Sequence, residues 1–241
     1  MTTSERDRHG QEIGHEHRDV SGGWLRPAVF GAMDGLVTNV SLIAGVGGGG
    51  GSQHAIVLTG LAGLAAGAFS MAAGEWVSVT SQNELVHSEV DKERHELSTN
   101  AVGEQAELVA MLRQSGLSDA TAKQAAAEIS AHPDKALNMH AMQELGVDPG
   151  DLPSPYVAAG ASLLSFSVGA VIPLLPFALG FDALGVALGL AALAAIVGGG
   201  VVSLLTNRPF WKGALRQLIL AAVAAGLTYL IGLAVGGMAA G

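Results

Sequence analysis

Apolar and polar positions along this chain fall into long blocks, and the blocks predict helices on a membrane scale. Five runs are almost free of charge: Trp24 to about Gly47, Ala55 to about Thr80, Tyr156–Leu179, the stretch after Phe181-Asp182 to about Leu205, and Leu215–Met238. Each is long enough to cross a hydrocarbon layer of about 30 Å as a helix. The pattern divides the chain into a polar tail (residues 1–22), two spans (23–80), a polar insert (81–153) and three further spans (154–241). The expected fold is an all-α integral membrane protein with five transmembrane helices and a small helical subdomain inserted between the second and third.

The second block has no clear end. From Gly60 to Leu97 the residues change from apolar to densely charged with no proline and no turn between them. That predicts one helix leaving the membrane and continuing into water, since 38 residues reach roughly 57 Å. Within the insert, Ser98-Thr99-Asn100 ends the long helix and offers caps for a second over about 101–114. Ser118 can cap a third to about Ala131, and a fourth runs from near Asp134 to Gly146. Gly63-x-x-x-Gly67 predicts a face that another helix can approach, and with so small an insert it argues for two copies of the chain. Pro173 and Pro176 should bend the third span. Trp24 and Arg26 are interfacial anchors, and Arg208, Lys212 and Arg216 make the segment before span five basic. That segment and the three arginines of the tail put the N-terminus and the insert on the cytoplasmic side.

Composition narrows the class of partner. The chain has 241 residues, mean hydropathy +0.42 and a net charge of −9. Thirteen Asp or Glu against five Lys or Arg between Glu84 and Asp151 give that insert −8 of the −9. An acidic chain does not suit nucleic acid and does suit cations. With no cysteine, thiolate zinc and iron–sulfur sites are excluded. The tail's His9, His15 and His17 have H-x-H spacing but read as a solvated tail. The glycine- and alanine-rich composition points to a bacterial cell membrane, or to a vacuolar membrane if the host is eukaryotic.

Several polar residues stand where chemistry would need them. Asp34 lies about 15 Å inside the Trp24 anchor, close to mid-membrane, where a carboxylate marks a site or a proton relay. Met71 and Glu75, one turn apart, share a face of the second span. In the insert, Glu93 and Glu96 are i,i+3 on one helix and Glu104 and Glu107 are i,i+3 on the next. A fold-back about Ser98–Asn100 would bring the four carboxylates together, with Glu144 and His140 (i−4) as a further arm and Met139 and Met142 nearby. Such a set suits Fe²⁺ or Mn²⁺; the same spacing also suits a solvated acidic face.

The segments GAMDGLVTNVSLIAGV, GLAAGAFSMAAGEWVSVTSQ and LLSFSVGAVIPLLPF, in this order, resemble the three membrane signatures of the vacuolar iron transporter family over residues 24–238. The resemblance implies five membrane helices, a homodimer, and exchange of Fe²⁺ or a similar dication for protons, with no permanently bound cofactor and no enzymatic activity. It implies that Asp34 and Met71 are pore ligands and that Glu93, Glu96, Glu104, Glu107 and Glu144 belong to a cytoplasmic metal-binding domain. The family's final arm reads Met-x-x-x-Glu-Leu-Gly; here His140 replaces the methionine. Glu75 is assigned to cation uptake or proton exchange, and Asp34 to holding a metal ion and a proton in turn. The alternatives are a membrane-anchored metal sensor or scaffold without transport, and a ferritin-like oxidase or store. The latter needs paired Glu-x-x-His motifs, and Glu84-Leu85-Val86-His87 stands alone in the insert.

Overall fold

A computed structural model describes residues 23–181 and 183–239. The described chain is helical throughout: α1 (Leu25–Gly48), α2 (Gln53–Thr99), α3 (Ala101–Gln114), α4 (Asp119–Ser130), α5 (Pro133–His140), a π-helical turn (Ala141–Leu145), α6 (Pro155–Ala178), α7 (Leu184–Leu205) and α8 (Phe210–Ala239). Five of these, α1, α2, α6, α7 and α8, are long and apolar enough to cross a membrane. The tail histidines and Asp182 lie outside the described residues.

Helix α2 is one unbroken helix of 47 residues, as its uninterrupted sequence predicts. Trp76 meets Tyr156, at the start of α6, with ring centroids 6.4 Å apart. With Trp24 before α1 and Trp211 in the first turn of α8, these aromatics mark one membrane boundary. About 35 Å of α2 lies on each side of Trp76, one half in lipid and the other in water. Ser98 and Thr99 do not cap α3. Both hydroxyls donate to the His95 carbonyl, at 2.7 and 2.9 Å, because the end of α2 leaves that acceptor free. Ser118 does cap α4, accepting from the Thr121 amide at 3.2 Å. The fifth span begins at Phe210, directly after Pro209, rather than at Leu215, so Lys212 and Arg216 sit on the helix and not in a loop. Proline suits a helix start because the amide it lacks would have no partner there. Helix α6 continues through both of its prolines.

The membrane bundle is centred on α1, which packs chiefly on α6 and α8. The α1–α6 contact is backbone to backbone. A Cβ on Gly35 would collide with the Phe166 carbonyl, and one on Gly169 with the Ala32 carbonyl. Gly63 faces Asn39 and Leu42 of α1, and Gly67 faces the Phe166 ring. The glycine face of α2 is therefore filled within the chain and does not by itself argue for a second copy. Asn39, fully buried, donates through Nδ2 to the Ala170 carbonyl at 2.5 Å and fixes α1 against α6 at mid-bundle.

The insert carries two small cores. Leu108 and Leu112 of α3 pack on Ala122 and Ala126 of α4, and Val90 of α2 packs on Leu137 and Ala141. The second core docks α5 onto the wet half of α2. The insert folds against that helix rather than alone.

Replacing Gly35 by Ala should lower the thermal midpoint in detergent, at a cost of about 1–3 kcal/mol, because α1 and α6 must part. Gly74 has open space around its Cβ position, so Gly74→Ala should stay within about 0.5 kcal/mol of wild type. Equal midpoints for the two variants, read by thermal size-exclusion, would contradict the close α1–α6 contact.

Candidate metal centre

Three helices deliver one polar cluster at the wet end of α2. Glu93 comes from α2, Glu104 from the first turn of α3 and His140 from the last residue of α5. One ligand atom from each lies within 4.8 Å of the others. His140 Nδ1 is 2.9 Å from Glu93 Oε1, 3.1 Å from Glu144 Oε1 and 3.9 Å from Glu104 Oε2. Glu93, Glu104 and His140 are buried, and the imidazole is fully so. Glu144 is brought in by the π-helical turn, which closes at Gly146 in the left-handed region with φ 67°. π-Helical turns recur at functional sites.

Burial without satisfaction is what sets this cluster apart. Glu104 Oε2 and His140 Nε2 are buried with no hydrogen-bond partner among the described residues, and Glu93 Oε1, although 2.9 Å from His140 Nδ1, is not aligned to accept a hydrogen bond from it. Buried polar atoms are ordinarily paired, and leaving one unpaired costs about 1–3 kcal/mol or more. Burial pushes the Glu93 carboxyl up from 4.5 to about 7, with Glu144, Glu104 and Glu96 adding to the rise and His140 opposing it. Glu104 is also raised, first by burial and next by Glu107, again against His140. A dication seated among these oxygens would relieve both the desolvation and the mutual repulsion, so the donor set fits a metal ion.

The structure separates the insert's carboxylates into two groups. Glu93 and Glu104 are buried together, whereas Glu96 and Glu107 are exposed and act through charge. One residue, Asn100, separates α2 from α3, and α3 packs chiefly on α4. The two helices therefore meet at their near ends and do not bring all four carboxylates inside. Glu84 and His87 line an open groove with Asp91 and His95, outside the cluster.

In the membrane, Asp34 accepts a hydrogen bond from Thr38 Oγ1 at 3.4 Å and lines a groove of about 740 Å³ between α1 and α8. Arg26 and Gln217 also line it, and the remaining lining is apolar. Gln217 is buried, and sequence reasoning passed over it. A polar residue beginning the apolar run of α8 was the available signal. Met71 and Glu75 are not part of that groove. Met71 packs beside Ala68 and Phe166, and Glu75 adjoins Trp76 at the membrane boundary.

Raising the pH should destabilise the metal-free insert. Between pH 4.5 and 7 folded Glu93 keeps a proton that the unfolded chain has released, so stability falls as pH rises through that window. A metal ion needs the ionised carboxylate, so its affinity should rise over the same window, by about tenfold per pH unit for each proton displaced. Calorimetric titration with Mn²⁺ at pH 5.5, 6.5 and 7.5 checks this. A pH-independent affinity would remove Glu93 from the ligand set.

Comparison with known proteins now places the chain. A sequence model of the VIT family matches residues 25–233. The chain is 33% identical to a protein named "Vacuolar iron transporter" from Acanthamoeba castellanii, over 91% of this chain and 82% of that one. It is 34% identical to "Vacuolar iron transporter homolog 1" of Arabidopsis thaliana, over 87% and 84%. It is 32% identical to "VIT-like transporter 1b" of Glycine max, over 86% and 73%. On this match over most of its length, the chain is a member of the VIT family of membrane metal transporters.

Proposed function

We propose that the protein exchanges protons for Fe²⁺, and also Mn²⁺, and moves the metal out of the cytosol. The observation that carries this reading is the continuity of α2, which holds Glu93 in the polar cluster at its wet end and Met71 and Glu75 on its membrane half. An ion gathered at the cluster is released at the mouth of the bundle, on the face that bears Glu75. The basic residues Arg208, Lys212 and Arg216 support a cytoplasmic position for that mouth and for the insert. The membrane is a bacterial cell membrane on compositional grounds.

Asp34 is the coupling residue in this reading. A carboxylate in a largely apolar groove holds either a cation or a proton, and the two compete. Protons from an acidic far side displace the metal and reset the carrier. Met71 supplies a thioether that favours transition ions over Mg²⁺ and Ca²⁺. In this reading two copies of the chain complete the path, since the groove that holds Asp34 is open on its side and does not include Met71 or Glu75.

Asp34→Asn keeps the shape and removes the charge. In proteoliposomes it should abolish metal uptake and metal-driven change of lumenal pH together. Met71→Ala should weaken metal selection, and a Glu93→Ala/Glu104→Ala variant should slow uptake without stopping it. Near wild-type uptake against a proton gradient by Asp34→Asn would overturn the mechanism. Metal binding without uptake by the wild-type chain would favour a sensor.

A further inference from the structure

We propose that His140 decides which metals the insert accepts: its buried imidazole makes an otherwise all-oxygen cage selective for borderline transition dications over both Ca²⁺ and soft ions. This rests on reading the cluster as a cation site.

Every other donor at the cluster is a carboxylate. Glu93 and Glu104 are inside, Glu144 is at the edge, and Glu96 and Glu107 lie beyond it. An all-oxygen set of that density is what Ca²⁺ takes, with six to eight oxygens in flexible geometry. His140 changes the chemistry because it cannot be avoided. Its Nδ1 is within 4 Å of a carboxylate oxygen from each of Glu93, Glu104 and Glu144, so an ion among those oxygens meets the nitrogen as well. The ring is fully buried and held from both sides in sequence, since Ala136, Leu137 and Ala141 are buried too. Imidazole suits Fe²⁺, Co²⁺, Ni²⁺ and Zn²⁺, and adds little for a hard ion.

The sulfur donors close by in sequence do not reach the site. Met139 is committed to the α3–α4 core beside Leu108 and Leu112, and Met142, in the π-helical turn, is exposed. Without a thioether, the cluster gives soft ions such as Cd²⁺ no particular advantage. Among the described residues the donor set is nitrogen and oxygen, and His140 is its one nitrogen.

The test is competitive calorimetry on the full chain in detergent, with Co²⁺, Ca²⁺ and Cd²⁺ as probes. It reads the binding component that a Glu93→Ala/Glu104→Ala variant loses. Wild type should prefer Co²⁺ to Ca²⁺, and His140→Gln should cut that ratio by about tenfold or more. His140→Met, close to the native side chain in volume, should raise the Cd²⁺ to Co²⁺ ratio by about tenfold or more, and it keeps an arm of the test if the glutamine variant misfolds. Ratios unchanged in both variants would overturn the role of His140 and leave the metal centre standing. A wild-type chain with no Co²⁺ component dependent on Glu93 and Glu104 would overturn the reading beneath it as well.

Discussion

Glu93, Glu104 and His140 are drawn out of water together, and the architecture of the insert follows from that cost. Two buried carboxylates facing one buried imidazole, with three ligand atoms lacking hydrogen bonds, is an unfavourable arrangement unless something relieves it. The small cores on either side hold the side chains in place. Leu108 and Leu112 on α4 set the pitch of α3, and Val90 on Leu137 sets α5 against α2. Protonation of Glu93, whose carboxyl burial pushes up to about 7, is the relief open to the metal-free chain. A dication is the other, and the competition between the two ties the insert to pH.

The membrane half obeys a different constraint. Lipid tails are as apolar as leucine, so helices there gain little from hiding apolar surface and gain instead from close approach and polar contacts. Gly35 and Gly169 bring the α1 and α6 backbones together, and Asn39 bonds across the same junction. The side of α1 that carries Asp34 is left on an open groove against α8. Beyond the groove α8 closes on α1 as tightly as α6 does, since a Cβ on Gly232 would collide with the Gly45 carbonyl, so the opening is confined to the stretch beside Asp34.

Much of this was legible in the sequence. Block hydropathy located the spans because hydrophobic length is a strong and local signal. The unbroken run from Gly60 to Leu97 announced α2 because nothing in it can stop a helix. Spacing also named Glu93 and Glu104 as candidates, but it could not separate them from Glu96 and Glu107. Burial depends on how α3 leaves α2, and that angle is set by α4 and α5 from farther along the chain. The hydroxyls of Ser98 and Thr99 looked like caps for α3 and instead close α2, since either end of a helix can use a hydroxyl. The glycines of α2 predicted a close neighbour correctly, yet pattern alone could not say that α1 and α6 would be that neighbour. Gln217 was hidden by its position beside the basic stretch.

The claim that holds the account together is that Glu93, Glu104 and His140 bind one metal ion. Pulsed electron paramagnetic resonance of Mn²⁺ bound to the full chain tests it most directly, because a directly bound imidazole gives a nitrogen hyperfine coupling that carboxylates and water do not. The account predicts one such coupling, lost in His140→Gln, with the Mn²⁺ signal itself lost in Glu93→Ala/Glu104→Ala. A coupling that survives His140→Gln, or Mn²⁺ held by oxygen alone, would contradict it.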